Sequence, residues 1–461
     1  MPLLMGLSLW CSISSSPKIF SSMSQPQENQ PGLIERNRTL IKGFLVSFLI
    51  LALLIPTLFI SQLVRERQNR NDEVKREIAQ QWGGEQSLTG PLLVVPFWQA
   101  EKGEDGKISN VTRYAYFLPD SLQVEGSLEP GHRQRSKIFS LLVYTASLKV
   151  NGAFTPLPFT RLGLKAEQLM PESAFLLYGL SDYSGIQQQM RILWDGTDHA
   201  FSAGTNQSML QKGLYVPMPM TLDDLARPHT FSMDLLLRGA ETLRLTPVGR
   251  STTVQLKSVW PHPSFVGKTL PTHDISKQGF TATWKAFDLN REFAQQWKEG
   301  TEVNFADSDF GVSLLEPLDH YAKSERSVKY AILVIMLTFV VYFFIEVLQK
   351  KQVHAVQYIL IGFALCIFYT LLLSISEYLG FGSAYLIAAL ATVGLITSYT
   401  HGIFGRWRTT GLFGGFLSLL YIFIFVLIQL QDGALLVGSI GLFLILASIM
   451  YASRKIEWYR S

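Results

Sequence analysis

Eight histidines, two cysteines and a few acidic residues at the margins of apolar runs are where chemistry could sit in this chain. The histidines include His132, His199, His262, His273, His320, His354 and His401. His262 and His273 lie eleven residues apart in a loop-rich stretch, a spacing that two ligands of one metal can share. No HExxH helix, paired CxxC or further ligand at metal-site spacing accompanies them, so turn or surface histidines are the simpler reading. No GxSxG elbow occurs. Neither cysteine has a catalytic setting, since Cys11 sits in the N-terminal tail and Cys366 inside an apolar run. Glycine-rich phosphate loops are absent, and the GxxxG spacing of Gly411–Gly415 suits helix packing, weakly, better than phosphate. No catalytic residue, cofactor or metal is assigned. A hydrolase whose acid and histidine meet only on folding remains open, because spacing along the chain does not test it.

The polar residues that say most are Glu346, Glu377 and His401, each just inside or just past a long apolar run. An ionisable group at the centre of a bilayer is a functional-site hypothesis by default. None of these three is central, and the runs lack paired glycine- or proline-broken helices of the kind that mark a transporter site. They read as interfacial residues, with an ion or proton pathway as the competing idea.

The elements that position them are the apolar runs themselves. Charged residues make up 16% of the chain and apolar residues 48%, and the apolar ones gather in one run near the start and five in the last third. The first, Gly43 to Ile60, follows Arg36, Arg38 and Lys42. Its length, and the continuation Ser61-Gln62-Leu63-Val64-Arg65-Glu66-Arg67 in place of a small-residue cleavage site, make it an uncleaved signal anchor. Pro56 within it is expected to kink the helix, as membrane helices tolerate. The others are Tyr330 to Leu348, Ala355 to Ile375, Ala384 to Thr400, Leu412 to Leu430 and Ala434 to Tyr451. Each approaches the roughly 20 residues that cross the hydrocarbon core.

Charge sets the expected orientation. Lys350, Lys351, Arg406, Arg408, Arg454, Lys455 and Arg460 fall on one side, while the opposite short loops carry only Glu377 and Asp432. Positive residues in short loops stay cytoplasmic, so both termini are expected inside and the segment from 63 to 328 outside. Tyr330, Trp407, Trp458 and Tyr459 fall where interfacial aromatics belong. The net charge of +4 gives no reason to expect nucleic acid.

Residues 1–40 read as a disordered cytoplasmic tail rich in serine, glutamine and proline, with Met23 as a candidate start. Val64 to Trp82 reads as a juxtamembrane helix stopped by Gly83-Gly84. Beyond it, short β-type runs recur at Leu92 to Pro96, Ile138 to Val150, Thr230 to Leu237, Glu241 to Thr246, Thr252 to Val259, Phe280 to Ala286 and Val312 to Leu315. An antiparallel β-rich domain, built as a sandwich, is expected there without any internal disulfide. Gln187 to Trp194 and Asn290 to Trp297 are expected to be helical. The fold class is therefore a six-helix membrane bundle, with a large β-rich domain between its first and second helices and a short tail from 453.

Several local motifs occur in order. Trp260-Pro261-His262-Pro263-Ser264-Phe265 leads, followed by Leu270-Pro271 and Gly279-Phe280-Thr281-Ala282-Thr283-Trp284. Lys329-Tyr330, Phe343-Phe344-Ile345-Glu346, His354, Gln357-Tyr358, Phe368-Tyr369 and Ser376-Glu377 continue the series, and Glu457-Trp458-Tyr459 closes it. In these motifs the chain resembles the CreD family of bacterial inner-membrane proteins, named for cell-envelope integrity, from about Ile41 to Tyr459. The resemblance implies a Gram-negative inner membrane, a periplasmic domain and a role in envelope integrity, but no reaction and no catalytic residue. Pro261-His262-Pro263 reads as a rigid turn between core Trp260 and Phe265. The residues carried forward as candidates are Trp260, His262, Phe265, Trp284, Glu346 and Glu377. The expected partners are the lipid bilayer and an envelope protein or polymer. A small transporter or lipid-handling protein is the alternative.

Overall fold

The computed structural model describes residues 38–102, 108–135, 138–204, 210, 212–314, 320–349, 351–430 and 433–454. The N-terminal tail with Cys11 and Met23, Lys350, Asp432, Trp458 and Tyr459 lie outside the described residues.

The chain starts with α1 (Arg38–Trp82), one uninterrupted helix of 45 residues with Pro56 inside it. At 1.5 Å per residue it is about 68 Å long, more than twice the hydrocarbon thickness. Its first half is apolar and its second charged, as the sequence requires of a span that continues into water. It stops at Gly83, whose φ of +131° suits glycine, and whose absent side chain leaves room for the backbone of Arg238 and Gly185.

The β domain follows. Its strands begin with β1 (Gln86–Lys102), β2 (Ile108–Phe117), β3 (Ser121–Gln134), β4 (Ser140–Phe154) and β5 (Phe175–Leu180). They continue with β6 (Arg191–Trp194), β7 (Thr197–Ala200), β8 (Ser202–Ala203), β9 (Gly213–Pro217), β10 (His229–Ala240) and β11 (Thr242–Leu245). The last are β12 (Ser251–Ser258), β13 (Pro263–Gly267), β14 (Thr272–Ser276), β15 (Gly279–Phe287), β16 (Gln296–Lys298) and β17 (Phe310–Leu314). One sheet orders its strands β13-β17-β11-β1-β5-β9-β8, with β2 on β1 and β16 on β2. The other runs β14-β15-β12-β3-β4-β10-β6-β7. Both sheets send alternate residues into one shared core, such as Phe97, Leu176 and Val216 from the first and Val124, Leu148 and Leu235 from the second.

The strand runs expected from Leu92, Ile138, Thr230, Glu241, Thr252, Phe280 and Val312 overlap β1, β4, β10, β11, β12, β15 and β17. Three expectations need correction. The sheets are not wholly antiparallel, since β1 pairs β11 in parallel from Gln86↔Leu243 and β3 pairs β12 in parallel from Ser121↔Ser251. Gln187 to Trp194 is not a helix: β6 turns through Asp195-Gly196 into β7, and both turn residues have positive φ, as a tight two-residue hairpin demands. Asn290 to Trp297 is not a helix either. The buried Arg291 guanidinium donates to the carbonyls of Pro247 at 2.9 Å and Val248 at 2.6 Å, and the chain then runs out into β16. Burial pulls that guanidinium down to about 10.

The chain returns through α2 (His320–Lys329), a short amphipathic helix packed along α1, to the remaining spans. These are α3 (Ala331–Gln349), α4 (Ala355–Leu379), α5 (Phe381–Phe404), α6 (Trp407–Gln429) and α7 (Ala434–Ser453). With α1 they make six helices, among the described residues, long and apolar enough to cross a membrane. Helices α3 to α6 and the first half of α1 share one core, and α7 leans on it mainly through α6. Of the GxxxG pair, Gly411 and Gly415 face open space; it is Gly414 that meets Thr397 of α5.

Candidate functional site

Two joints tie the domain to the bundle. At the outer joint, the Trp82 ring lies between two guanidinium groups, Arg133 at 3.8 Å and Arg238 at 4.0 Å from its centre. Ile78 and Ala79 pack beside it on Leu141, Val143 and Ala240 of β4 and β10. Lys75 pairs with Glu241 at 3.6 Å and Arg135 with Glu77. Asp182 accepts from the N–H groups of Gly84 at 2.8 Å and Ser184 at 3.1 Å. Burial pushes its carboxyl up, but those donors outweigh burial and hold it below the usual carboxylate range. At the inner joint, Arg65 of α1 meets Glu325 of α2 at 3.7 Å.

Glu346 sits one turn before the end of α3, at the end of the bundle far from the domain, and its side chain is only 4% exposed. Lys42 of α1 pairs with it, the N–H of Val353 donates to it at 2.9 Å, and the Tyr358 hydroxyl donates at 2.8 Å. One carboxylate thus holds three segments together. The neighbouring motif has a local reason as well. His354 and Gln357 form a capping box that starts α4 and places Tyr358 one turn on, facing Glu346. Lys351 donates to the carbonyls of Ile403 and Phe404, closing the end of α5.

Glu377 lies at the opposite end, half-buried, where the Tyr321 hydroxyl of α2 donates to it at 3.3 Å. The two acidic candidates are therefore not brought together. They are fastenings at the two ends of the bundle.

The aromatic candidates divide. Trp284 is fully buried in the domain core, stacked on Phe310 at 5.7 Å and edge-on to Phe265 at 5.7 Å, and its indole N–H has no partner among the described residues. It is core rather than surface. Phe265 also meets His273 at 4.8 Å, whereas His262 stands edge-on to the half-buried Trp260 at 6.4 Å. Different rings thus hold the two histidines. No group of three or more His, Cys, Asp or Glu gathers as a metal site among the described residues. The segment forms open borders of both sheets, with β13 at the edge of one and β14 at the edge of the other.

One pair escaped sequence reasoning. His229 stacks on Trp194, its Nδ1 lies 2.6 Å from the Asp195 carboxylate, and its Nε2 lies 2.8 Å from the Asp224 carbonyl. An acid and a histidine do meet on folding here. With both ring nitrogens engaged, the imidazole pins the β6–β7 turn to the segment before β10 and has no nitrogen left for a substrate. The signal available in the sequence was the Asp-Gly turn.

Comparison with known proteins agrees with the architecture. The family described as Inner membrane protein CreD matches residues 38–459. The Inner membrane protein CreD of Escherichia coli (strain K12) is 32% identical over 416 residues, spanning 89% of this chain and 91% of that protein. Among solved structures, a nutrient binding protein from Legionella pneumophila aligns at TM-score 0.25 and 6% identity, over 54% of this chain and 80% of that one. A two-domain zinc metallopeptidase aligns at TM-score 0.17 and 12% identity, over 37% and 39%. Neither likeness is close enough to carry an argument. The match along nearly the whole chain does carry one: the chain belongs to the CreD family of inner membrane proteins.

Proposed function

We propose that this protein supports cell-envelope integrity by binding, without catalysis, an envelope protein or polymer through a β domain that the bundle holds in the periplasm. The observation that carries the reading is the outer half of α1. From Ser61 to Trp82 it raises the attachment of the domain about 33 Å beyond the apolar span, and the clamp on Trp82 fixes it there. A domain built to serve the bundle as a lid needs no such stand-off. The orientation is supported by charge, since Lys351, Arg406 and Arg408 lie at the bundle end away from the domain, and Glu377 lies at the near end.

The test is in-cell photocrosslinking, with a photoreactive residue placed in turn at exposed positions of both faces and edges: Trp98, Tyr215, His262, Leu270 and Ile275. Capture of one discrete protein or envelope polymer is the expected outcome. Adducts with lipid alone, or none, would sink the binding reading and shift the role to the bundle, as a transporter or lipid-handling protein.

A further inference from the structure

The outer face of the nine-stranded sheet carries a groove of about 540 Å³. Strand alternation builds it. On β9, Leu214 and Val216 point into the core, so Tyr215 and Pro217 must point out. Register then places Tyr215 beside Leu177 and Pro217 beside Phe175 of β5. Phe175 lies next to Val94 of β1, and the Tyr114 ring of β2 reaches over β1 to meet Phe175 edge-on at 6.0 Å. The aromatic wall thus runs across β2, β1, β5 and β9, a width of about 14 Å at the usual strand spacing. Glu172 and Ser173, exposed on the turn before β5, supply the polar rim. Trp98 projects from the same face of β1, diagonal to Tyr114 and 41% exposed.

We propose that this groove binds a neutral polysaccharide strand; the proposal rests on the reading that the domain engages an envelope component and names its chemical class. A pyranose chain has two kinds of surface. Its C–H faces carry slight positive charge and lie well on the negative faces of aromatic rings, while its hydroxyl edges need hydrogen-bond acceptors and donors. The groove offers both, as Tyr114, Phe175 and Tyr215 for the faces and Glu172 with Ser173 for the edges. Its charge is selective as well. Among the described residues a carboxylate lines it and no lysine or arginine does, which opposes a phosphate- or sulfate-bearing polymer. The groove runs across β2, β1, β5 and β9 and meets the sheet edge only at Ala203 of the two-residue strand β8 and at Gly204, too short a length of edge to offer a peptide a ladder of backbone hydrogen bonds.

The experiment uses the full-length protein in lipid nanodiscs, because sugar-headed detergents would compete. Calorimetric titration is made with a hexamer of β-linked N-acetylglucosamine, with cellohexaose, with dextran sulfate and with a proline-rich peptide. Binding of a neutral oligosaccharide is expected. Tyr215→Ala should weaken it about ten-fold, the loss of one aromatic stacking contact, and Tyr215→Trp should restore it. Glu172→Gln should weaken it less. Tyr215 is 37% exposed, so unchanged thermal unfolding of the variants shows that the fold is intact. The proposal is overturned if neither neutral oligosaccharide binds, if Tyr215→Ala binds as well as the parent protein, or if the peptide or dextran sulfate binds in their place. Crosslinked capture of a discrete protein at Leu270 or Ile275, without oligosaccharide binding, would remove this proposal and leave the binding function standing.

Discussion

Glu346 and Lys42 are 304 residues apart and share one part-buried bond. From sequence, Glu346 could be placed only by its distance from the end of an apolar run, which made it an interfacial residue among others. What it touches depends on how α1 docks against α3 and α4, and no local pattern encodes that. Its neighbours His354 and Gln357 were visible as a motif, and the capping box now gives that motif a physical reason. An ion pair that loses one partner leaves the other charge stranded, at a cost of up to about 3–5 kcal/mol when that charge is buried, as Glu346 is at 4% exposure, and less for Lys42 at 27%. Glu346→Ala and Lys42→Ala should therefore each destabilise the bundle in detergent unfolding, and the double variant should recover most of the loss. Losses that simply add would mean the two side chains are not coupled. A double variant that is stable but inactive would point instead to ion movement through this end of the bundle.

Among the elements, α1 was the most legible. Its apolar run, its charged continuation and the glycine stop all sit within consecutive residues, so local reasoning captures it. The strands were legible where alternation was strong, as in β10, and their partners were not. Two parallel ladders join segments more than a hundred residues apart, and alternation looks the same whichever way the neighbour runs. The β6–β7 hairpin was missed for another reason. Ile186, Met190, Leu193 and Trp194 mimic a helical period, and the Asp-Gly turn that follows is the local signal that contradicts it. Where α1 ends, the clamp on Trp82 makes a direct prediction. Trp82→Ala should cost about 2 kcal/mol by loss of packing and of both cation–π contacts, with Trp82→Phe intermediate. Faster tryptic cleavage in the charged half of α1 would report it, and an unchanged cleavage rate would show that the clamp does not hold the helix.

For the whole molecule, six spans with an inserted domain could be read from hydropathy, because the bilayer imposes a length on each helix. The surface of the domain could not. The aromatic groove on its nine-stranded sheet gathers residues from four separate strands, while Trp284, which stood out in the sequence, is core, and Trp260 and Phe265 beside the exposed His262 are half-buried. The domain is fastened where α1 enters it, through the Trp82 clamp, and the chain that leaves it resumes as α2, packed along α1. Pulsed spin-label distances between Gln188 and Gln349 should accordingly show one narrow population, and two glycines inserted after Arg70 should broaden it. A broad distribution in the parent protein would mean that the domain swings freely. Near the membrane surface α1 divides into an outer arm of about 33 Å and, down to Lys42, an inner arm of about 28 Å. It is a lever with nearly equal arms. A load that drags the domain sideways would turn such a lever about the membrane surface, and what resists the swing at its far end is the bond from Lys42 to Glu346.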